Sequence, residues 1–195
     1  MEEIIDIVIV GVGGQGILLA SSILSETALY SGYDVKANEV HGMAQRGGSV
    51  ISQIRFGEKV YSPLIKSGDA DILIGLEQLE AMRGLKYCNT ETKAVVNTRK
   101  IMPVTVSSGN ERYVENIEKE LKDILNYVYI INAEKLAFEV GNIKTENIIM
   151  LGAASTFLPF CVESYESSIK KLVKPQYVDV NLKAFHKGRS LIVSV

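Results

Sequence analysis

Residues 4–16 read Ile-Ile-Asp-Ile-Val-Ile-Val-Gly-Val-Gly-Gly-Gln-Gly, and this stretch decides the fold. The β-branched run from Ile4 to Val10 reads as a strand buried on both faces. It enters Gly11-x-Gly13-x-x-Gly16, after which Ile17, Ser21, Leu24 and Ala28 recur on one face of a helix reaching about Tyr30. Gly32 is the expected stop, and Tyr33 to Ala37 resumes as a strand. Strand, glycine turn, helix and strand predict a βαβ unit with a right-handed crossover. In that context glycines permit a tight turn and let a ligand approach bare backbone at a helix N-terminus. Three readings fit the loop: close packing of helix on sheet, an anion or nucleotide site, or a nicotinamide dinucleotide site. Glu39, 23 residues after Gly16, stands where a dinucleotide enzyme keeps its ribose-binding carboxylate, and equally reads as a solvated loop residue.

Outward from this unit, residues 38–48 (NEVHGMAQRGG) break into a loop. Ser49 to Phe56 and Lys59 to Tyr61 flank Gly57-Glu58, the signature of a two-residue hairpin. Further strands are expected at 72–75, 93–97 and 127–131, with 102–106 a candidate for another. Helices are expected at about 77–85, 111–125 (Ile117, Leu121, Ile124 and Leu125 inward), 133–140, 147–160, 163–173 and 176–187, the last started by Pro175. The 147–160 stretch is apolar nearly all round, and Gly152-Ala153-Ala154-Ser155 admits another backbone closely, inside the fold or at a subunit interface. The alternation predicts an α/β fold: a mostly parallel, Rossmann-like sheet with flanking helices, one β-hairpin insertion and a helical C-terminal tail. One domain is expected over 1–195, with 1–140 the α/β core and 141–195 the tail packed on it.

Composition removes other classes. Hydrophobic residues at 47% and charged ones at 23% exclude disorder. No apolar run reaches the roughly 18 residues of a membrane helix. The stretch MEEIIDIVIV places two Glu where a secretory signal carries positive charge, so a cytoplasmic location is expected. With 21 basic against 23 acidic residues, nothing electrostatic favours nucleic acid as a partner. Cys88 and Cys161, with 72 residues between them, cannot form a disulfide framework or a four-thiolate cluster, and with only His41 and His186 beside them no metal centre is expected. His186 reads as a surface or interface residue, and the two cysteines as ordinary thiols.

The loop His41-Gly42-Met43-Ala44-Gln45-Arg46-Gly47-Gly48 sets a guanidinium beside two residues without side chains. Arg46 with nearby amides suits a carboxylate or phosphate; the plainer reading is a glycine-rich corner with Arg46 pinning a carbonyl. Following the second strand, this loop falls at the same sheet edge as the first glycine loop, where α/β folds bind ligands. The candidate binding residues are therefore Gly11, Gly13, Gly14, Gln15 and Gly16 for a cofactor, and Gln45, Arg46, Gly47 and Gly48 for substrate or anion. His41 is a weaker candidate for proton transfer, since a lone loop histidine is more often a scaffold element.

The paired motifs GVGGQG (11–16) and HGMAQRGG (41–48) resemble the gamma-type subunit of the 2-oxoacid:ferredoxin oxidoreductase family, and the Gln-before-Arg form resembles its indolepyruvate branch. Tyr61-Ser62-Pro63-Leu64-Ile65, Gly68-Asp69-Ala70-Asp71 and Glu77-x-x-Glu80-Ala81 agree; the resemblance is good over 4 to about 85. It implies oxidative decarboxylation of aryl 2-oxoacids to acyl-CoA and CO2 by an oxygen-sensitive complex. Thiamine diphosphate and [4Fe-4S] clusters would sit on a larger partner subunit in a heterodimer or heterotetramer, with CoA as co-substrate and ferredoxin as acceptor. Pyruvate, 2-oxoglutarate or branched-chain oxoacids are alternative substrates within the family. Outside it, a NAD-dependent dehydrogenase or a nucleotide-binding module remains open. Gly68-Asp69-Ala70 followed by Asn97 nearly matches thiamine-diphosphate spacing, but with Ala for a glycine and one Asn it reads as a turn into a strand.

Overall fold

The computed structural model describes residues 4–42, 47–109 and 112–192. β1 (Ile5–Val12) is the axis of the sheet, followed by α1 (Ile17–Tyr30), β2 (Asp34–His41), β3 (Ser49–Gly57) and β4 (Ala70–Gly75). Then come α2 (Gln78–Gly84), β5 (Cys88–Asn97), α3 (Val104–Ser107), α4 (Ile117–Ile124), β6 (Tyr127–Ile131) and α5 (Ala133–Val140). The chain closes with α6 (Glu146–Ala154), α7 (Val162–Leu172) and α8 (Val178–Arg189). The sheet order is β2-β3-β1-β4-β5-β6. β1, β4, β5 and β6 are parallel, while β3 runs antiparallel to both β1 and β2.

Side-chain alternation on buried strands feeds two cores. Ile7 and Ile9 face α1 and α5–α8, whereas Val8 and Val10 face α2 and α4, giving helices on both faces of the sheet. The C-terminal helices complete the first core rather than trail from it: Ile148, Ile149, Met150 and Leu151 of α6 are buried in one cluster with Ile9 and Ile74. The α6–α8 crossing is backbone on backbone, because a Cβ on Gly152 would collide with the Phe185 carbonyl and one on Gly188 with that of Ile149. No helix among the described residues is long and apolar enough to cross a membrane.

Four expectations need correction. β2 does not pair with β1; β3 inserts between them, so both strands point the same way without touching. The reason is burial: β3 is buried along most of its length, while β2 is half exposed and takes the edge. The hairpin accordingly joins β2 to β3 across residues 42–48, not across Gly57-Glu58. Phe56 already pairs with Ile5 on one side and Val35 on the other, leaving no edge for a strand at 59–61. Val60 instead donates its N–H to Asp34 Oδ2 at 2.9 Å. Residues 102–106 form no strand; α3 is a short helical turn there. The helix expected from 111 begins only at Ile117, since Asn116 holds a left-handed φ of 59°; Ile117, Leu121 and Leu125 are buried but Ile124 is half exposed.

Candidate functional site

The glycine loop leaves β1 at the carboxyl edge of the parallel strands. Its left-handed residues are Gly14 (φ 103°) and Gly16 (φ 76°), not Gly13. Gly16 is the N-cap of α1, so that helix begins without a side-chain cap and without an acid in its first turn. Exposed N–H groups and the helix dipole make such an end favourable for an anion. Gln15 turns back into the protein: its Oε1 accepts the Val12 N–H at 2.8 Å and its Nε2 donates to the Leu76 carbonyl at 2.8 Å. Gln15 thus braces the ends of β1 and β4 while lining the recess described below. Gly11 is required by that brace, because a Cβ there would lie 2.8 Å from Gln15 Oε1.

The second loop returns to the same edge. Gly13 donates its N–H to the Gly48 carbonyl at 2.9 Å, and Gly42 donates to the Ser49 carbonyl at 2.8 Å. Gly47 adopts φ 76°. Gln45 and Arg46 lie outside the described residues. His41 ends β2, about half exposed, 3.7 Å from Glu39. It borders a recess of about 330 Å³ with Gly13, Gly14, Leu18 and Val50. Glu39 pairs with Ser52 of β3, which in turn pairs with Ile9. Glu39 is therefore about two strand spacings, roughly 10 Å, from β1 and not beside the glycine loop. The dinucleotide arrangement considered from the sequence is not formed.

A larger recess of about 490 Å³ opens on the other side of the glycine loop. It lies at the ends of β1, β4 and β5, the first two of which lead into helices on opposite faces, the place where open α/β sheets bind ligands. Gly14, Gly16, Leu76, Asn97, Arg99, Lys144 and Asn147 line it. Arg99 pairs with Glu134 at 2.6 Å and Glu146 at 3.2 Å. Asn97 donates to Glu146 at 3.0 Å and accepts the Ala133 N–H at 3.1 Å. Lys144 makes no ion pair among the described residues and is the uncompensated cation at this rim. Asn147 donates to the Gly16 carbonyl at 2.9 Å, while its Oδ1 is buried without a partner. Sequence reasoning missed these residues. The available signals were Asn97 ending the buried run Ala94-Val95-Val96, and Asn147 as a polar position opening an apolar helix.

The start of α2 follows Leu76, which lines the larger recess. Glu77, 1% exposed, caps the helix by accepting the Glu80 N–H at 2.9 Å, and also takes the Ile101 N–H at 3.0 Å and the Tyr113 hydroxyl at 3.1 Å. Burial, with the Glu77 charge beside it, pushes the Tyr113 phenol well above its ordinary range, so it stays a donor. Neither an iron–sulfur cluster nor thiamine diphosphate fits this chain's own residues. Cys88 packs with the α2 and α4 core, while Cys161 begins α7 across the sheet. Gly68 precedes β4 at the amino edge and Asn97 ends β5 at the carboxyl edge, so the near-match in spacing assembles no site.

The sequence profile described as "Pyruvate ferredoxin/flavodoxin oxidoreductase" matches residues 6–191. The indolepyruvate oxidoreductase subunit IorB of Archaeoglobus fulgidus is 40% identical over 194 residues, covering 97% of this chain and 96% of that one. Its counterpart in Pyrococcus horikoshii is 42% identical over 188 residues, covering 94% and 93%. The crystal structure of pyruvate oxidoreductase subunit PORC from Thermotoga maritima shares the fold, with a TM-score of 0.72, 21% identity and 96% of each chain covered.

Proposed function

Because this chain belongs to the pyruvate ferredoxin/flavodoxin oxidoreductase family and is a subunit of a 2-oxoacid:ferredoxin oxidoreductase, we propose that it serves the oxidation of indolepyruvate and related aryl 2-oxoacids to acyl-CoA and CO2. The substrate class follows relatives at 40% and 42% identity that carry that name. In this reading the chain is inactive alone. A larger cytoplasmic partner subunit holds thiamine diphosphate and the [4Fe-4S] clusters, and ferredoxin takes the electrons. Thiamine diphosphate supplies the carbanion chemistry when bound to that partner. The chain works as one domain over 1–195, as the core shared by β1, α1 and α6–α8 supports.

The chain's own contribution is to receive an anionic group at the carboxyl edge, either the phosphates of CoA or the substrate carboxylate. The observation that carries this is the uncapped N-terminus of α1 opening, together with Lys144, into the 490 Å³ recess. Gly14 and Gly16 offer backbone there, and Gly13 and Gly14 do so at the smaller recess; Gln45 and Arg46, proposed from the sequence as substrate or anion ligands with Gly47 and Gly48, lie outside the described residues. Gln15 holds the loop and lines the recess. His41 borders the smaller recess as a scaffold residue.

The test is assembly with the cluster-bearing subunit under exclusion of oxygen, followed by indolepyruvate- and CoA-dependent dye reduction. Lys144→Glu should raise KM for CoA or the oxoacid about tenfold, as expected for an interaction of about 1.4 kcal/mol. Cluster absorbance should be unaltered. Unchanged KM values for both would refute the anion site. Saturable micromolar NADH binding by the chain alone would refute the subunit reading.

A further inference from the structure

The Glu77-x-x-Glu80 motif has a second buried carboxylate that the proposed function does not use. Glu80 is 4% exposed, on a helix whose packing is already supplied by Leu79 and Ala81. A buried carboxylate is costly unless both oxygens are satisfied. Here Oε1 accepts from Arg83 at 2.6 Å, one turn along the same helix. Oε2 accepts from the Ser49 hydroxyl at 2.5 Å, a residue distant in sequence that opens β3. Ser49 follows Gly48, whose carbonyl receives the Gly13 N–H. One carboxylate on α2 therefore fixes the base of the second loop, and through it the middle of the glycine loop.

From this linkage we infer that Glu80 is a positioning residue, holding the Gly48–Ser49 junction against Gly13 so that the adjoining Gly14, which lines both recesses of the proposed crevice, keeps one position. The inference rests on the crevice reading above. Arg83 neutralises the carboxylate, and its half-exposed guanidinium sits away from both loops' hydrogen bonds. The tie is the Ser49–Glu80 bond and the salt bridge is its support. Glu77 acts on the opposite side through Ile101, which borders the larger recess, and so provides a control on the same helix.

Amide hydrogen exchange in the full chain reads the tie directly. Ser49→Ala and Glu80→Ala should speed exchange of the Gly13 amide about fivefold to tenfold, the loss of one net hydrogen bond, while Ile7 to Val10 at the centre of β1 stay protected. Glu80→Gln keeps an acceptor for Ser49 and should restore Gly13 protection. Arg83→Ala should leave Gly13 unaffected even if it lowers the melting temperature. In the assembled complex, Ser49→Ala and Glu80→Ala should raise KM for CoA or the oxoacid about fivefold with kcat within about twofold, and the double variant should be no worse than either single one. Unchanged Gly13 exchange in Ser49→Ala, or equal acceleration throughout β1, overturns the positioning role and leaves the crevice reading intact. Exchange that responds while both KM values stay fixed overturns the crevice reading, and the positioning role with it.

Discussion

Substituting alanine at Gly16 and, separately, at Gly14 tests the geometry of the glycine loop at its tightest point. Gly16 holds φ 76°, and its added Cβ would lie 2.5 Å from Nδ2 of Asn147. The left-handed backbone costs an alanine about 1–2 kcal/mol. Moving Asn147, which is 3% exposed and donates to the Gly16 carbonyl, forfeits a hydrogen bond worth about 1–2 kcal/mol once an unpaired carbonyl is left behind. Gly16→Ala should therefore destabilise by about 2–4 kcal/mol, a fall in melting temperature of roughly 5–12 °C for a chain of this size. Gly14, at φ 103°, has nothing within 4 Å of its added Cβ, so only the backbone cost of about 1–2 kcal/mol applies. Calorimetry on both variants, with and without Asn147→Ala, gives a double-mutant cycle. In the Asn147→Ala background the cost of Gly16→Ala should shrink to that of Gly14→Ala. Equal losses for Gly14→Ala and Gly16→Ala in the parent chain would refute the contact with α6.

The other expectations concern packing and titration. Gly188→Ala gains about 1 kcal/mol of helix propensity, but its Cβ would meet the Ile149 carbonyl across a rigid helix crossing, so a net loss of at least about 2 kcal/mol should appear in thermal melts; a neutral variant would mean that α6 and α8 do not touch there. Burial pushes the Cys88 thiol to about 11, against an opposing hydrogen bond with Thr92, whereas Cys161 is exposed. At pH 8 only about one Cys88 in a thousand is thiolate, so alkylation should label one thiol per native chain, at Cys161, and both after unfolding. Burial outweighs Arg55 in holding Asp6 above the ordinary aspartate value of 3.8, while Lys36 and the Val60 N–H hold Asp34 below it. Folded-state stability from Asp34 is thus present above 3.8 and lost as pH falls through its lower value; for Asp6 stability declines as pH rises from 3.8 through its higher value. Carboxyl NMR titration should find Asp6 protonating first on acidification, and the reverse order would refute the assignment.

Local periodicity made most elements readable, because burial on one face imposes a spacing that residues such as Ile17, Ser21, Leu24 and Ala28 display directly. The position of β3 was not readable from its neighbours. Whether β2 or β3 lies next to β1 depends on which strand buries more of both faces, a comparison of whole strands rather than a local signal. The site divides in the same way. Glycines announce themselves because left-handed backbone needs them at Gly14 and Gly16. Asn97, Arg99, Lys144 and Asn147 come from two distant segments, and their convergence is a product of topology alone. Gln15 has a second task that the sequence does not announce: it lines the larger recess while its amide bonds the chain's own Val12 N–H and Leu76 carbonyl.

The inserted strand also explains why a loop resembling a dinucleotide motif does not make a dinucleotide site here. In a sheet where β2 adjoins β1, the carboxylate ending β2 reaches the ribose of a ligand resting on the first helix. Placing β3 between them carries Glu39 outward by one strand spacing and puts the Gly48–Ser49 junction in the vacated position. The group facing the glycine loop then becomes a backbone carbonyl already bonded to Gly13, backed by a hydroxyl already bonded to Glu80. Neither can serve a ribose without breaking a bond of the fold. The phosphate-favouring helix end survives this change, because it depends on α1 and Gly16 alone. What remains is an uncapped helix end beside the larger recess. If that reasoning holds, Glu39→Ala should leave KM for CoA and the oxoacid within about twofold in the assembled complex, and a larger rise in either would show that the carboxylate reaches the ligand despite the intervening strand.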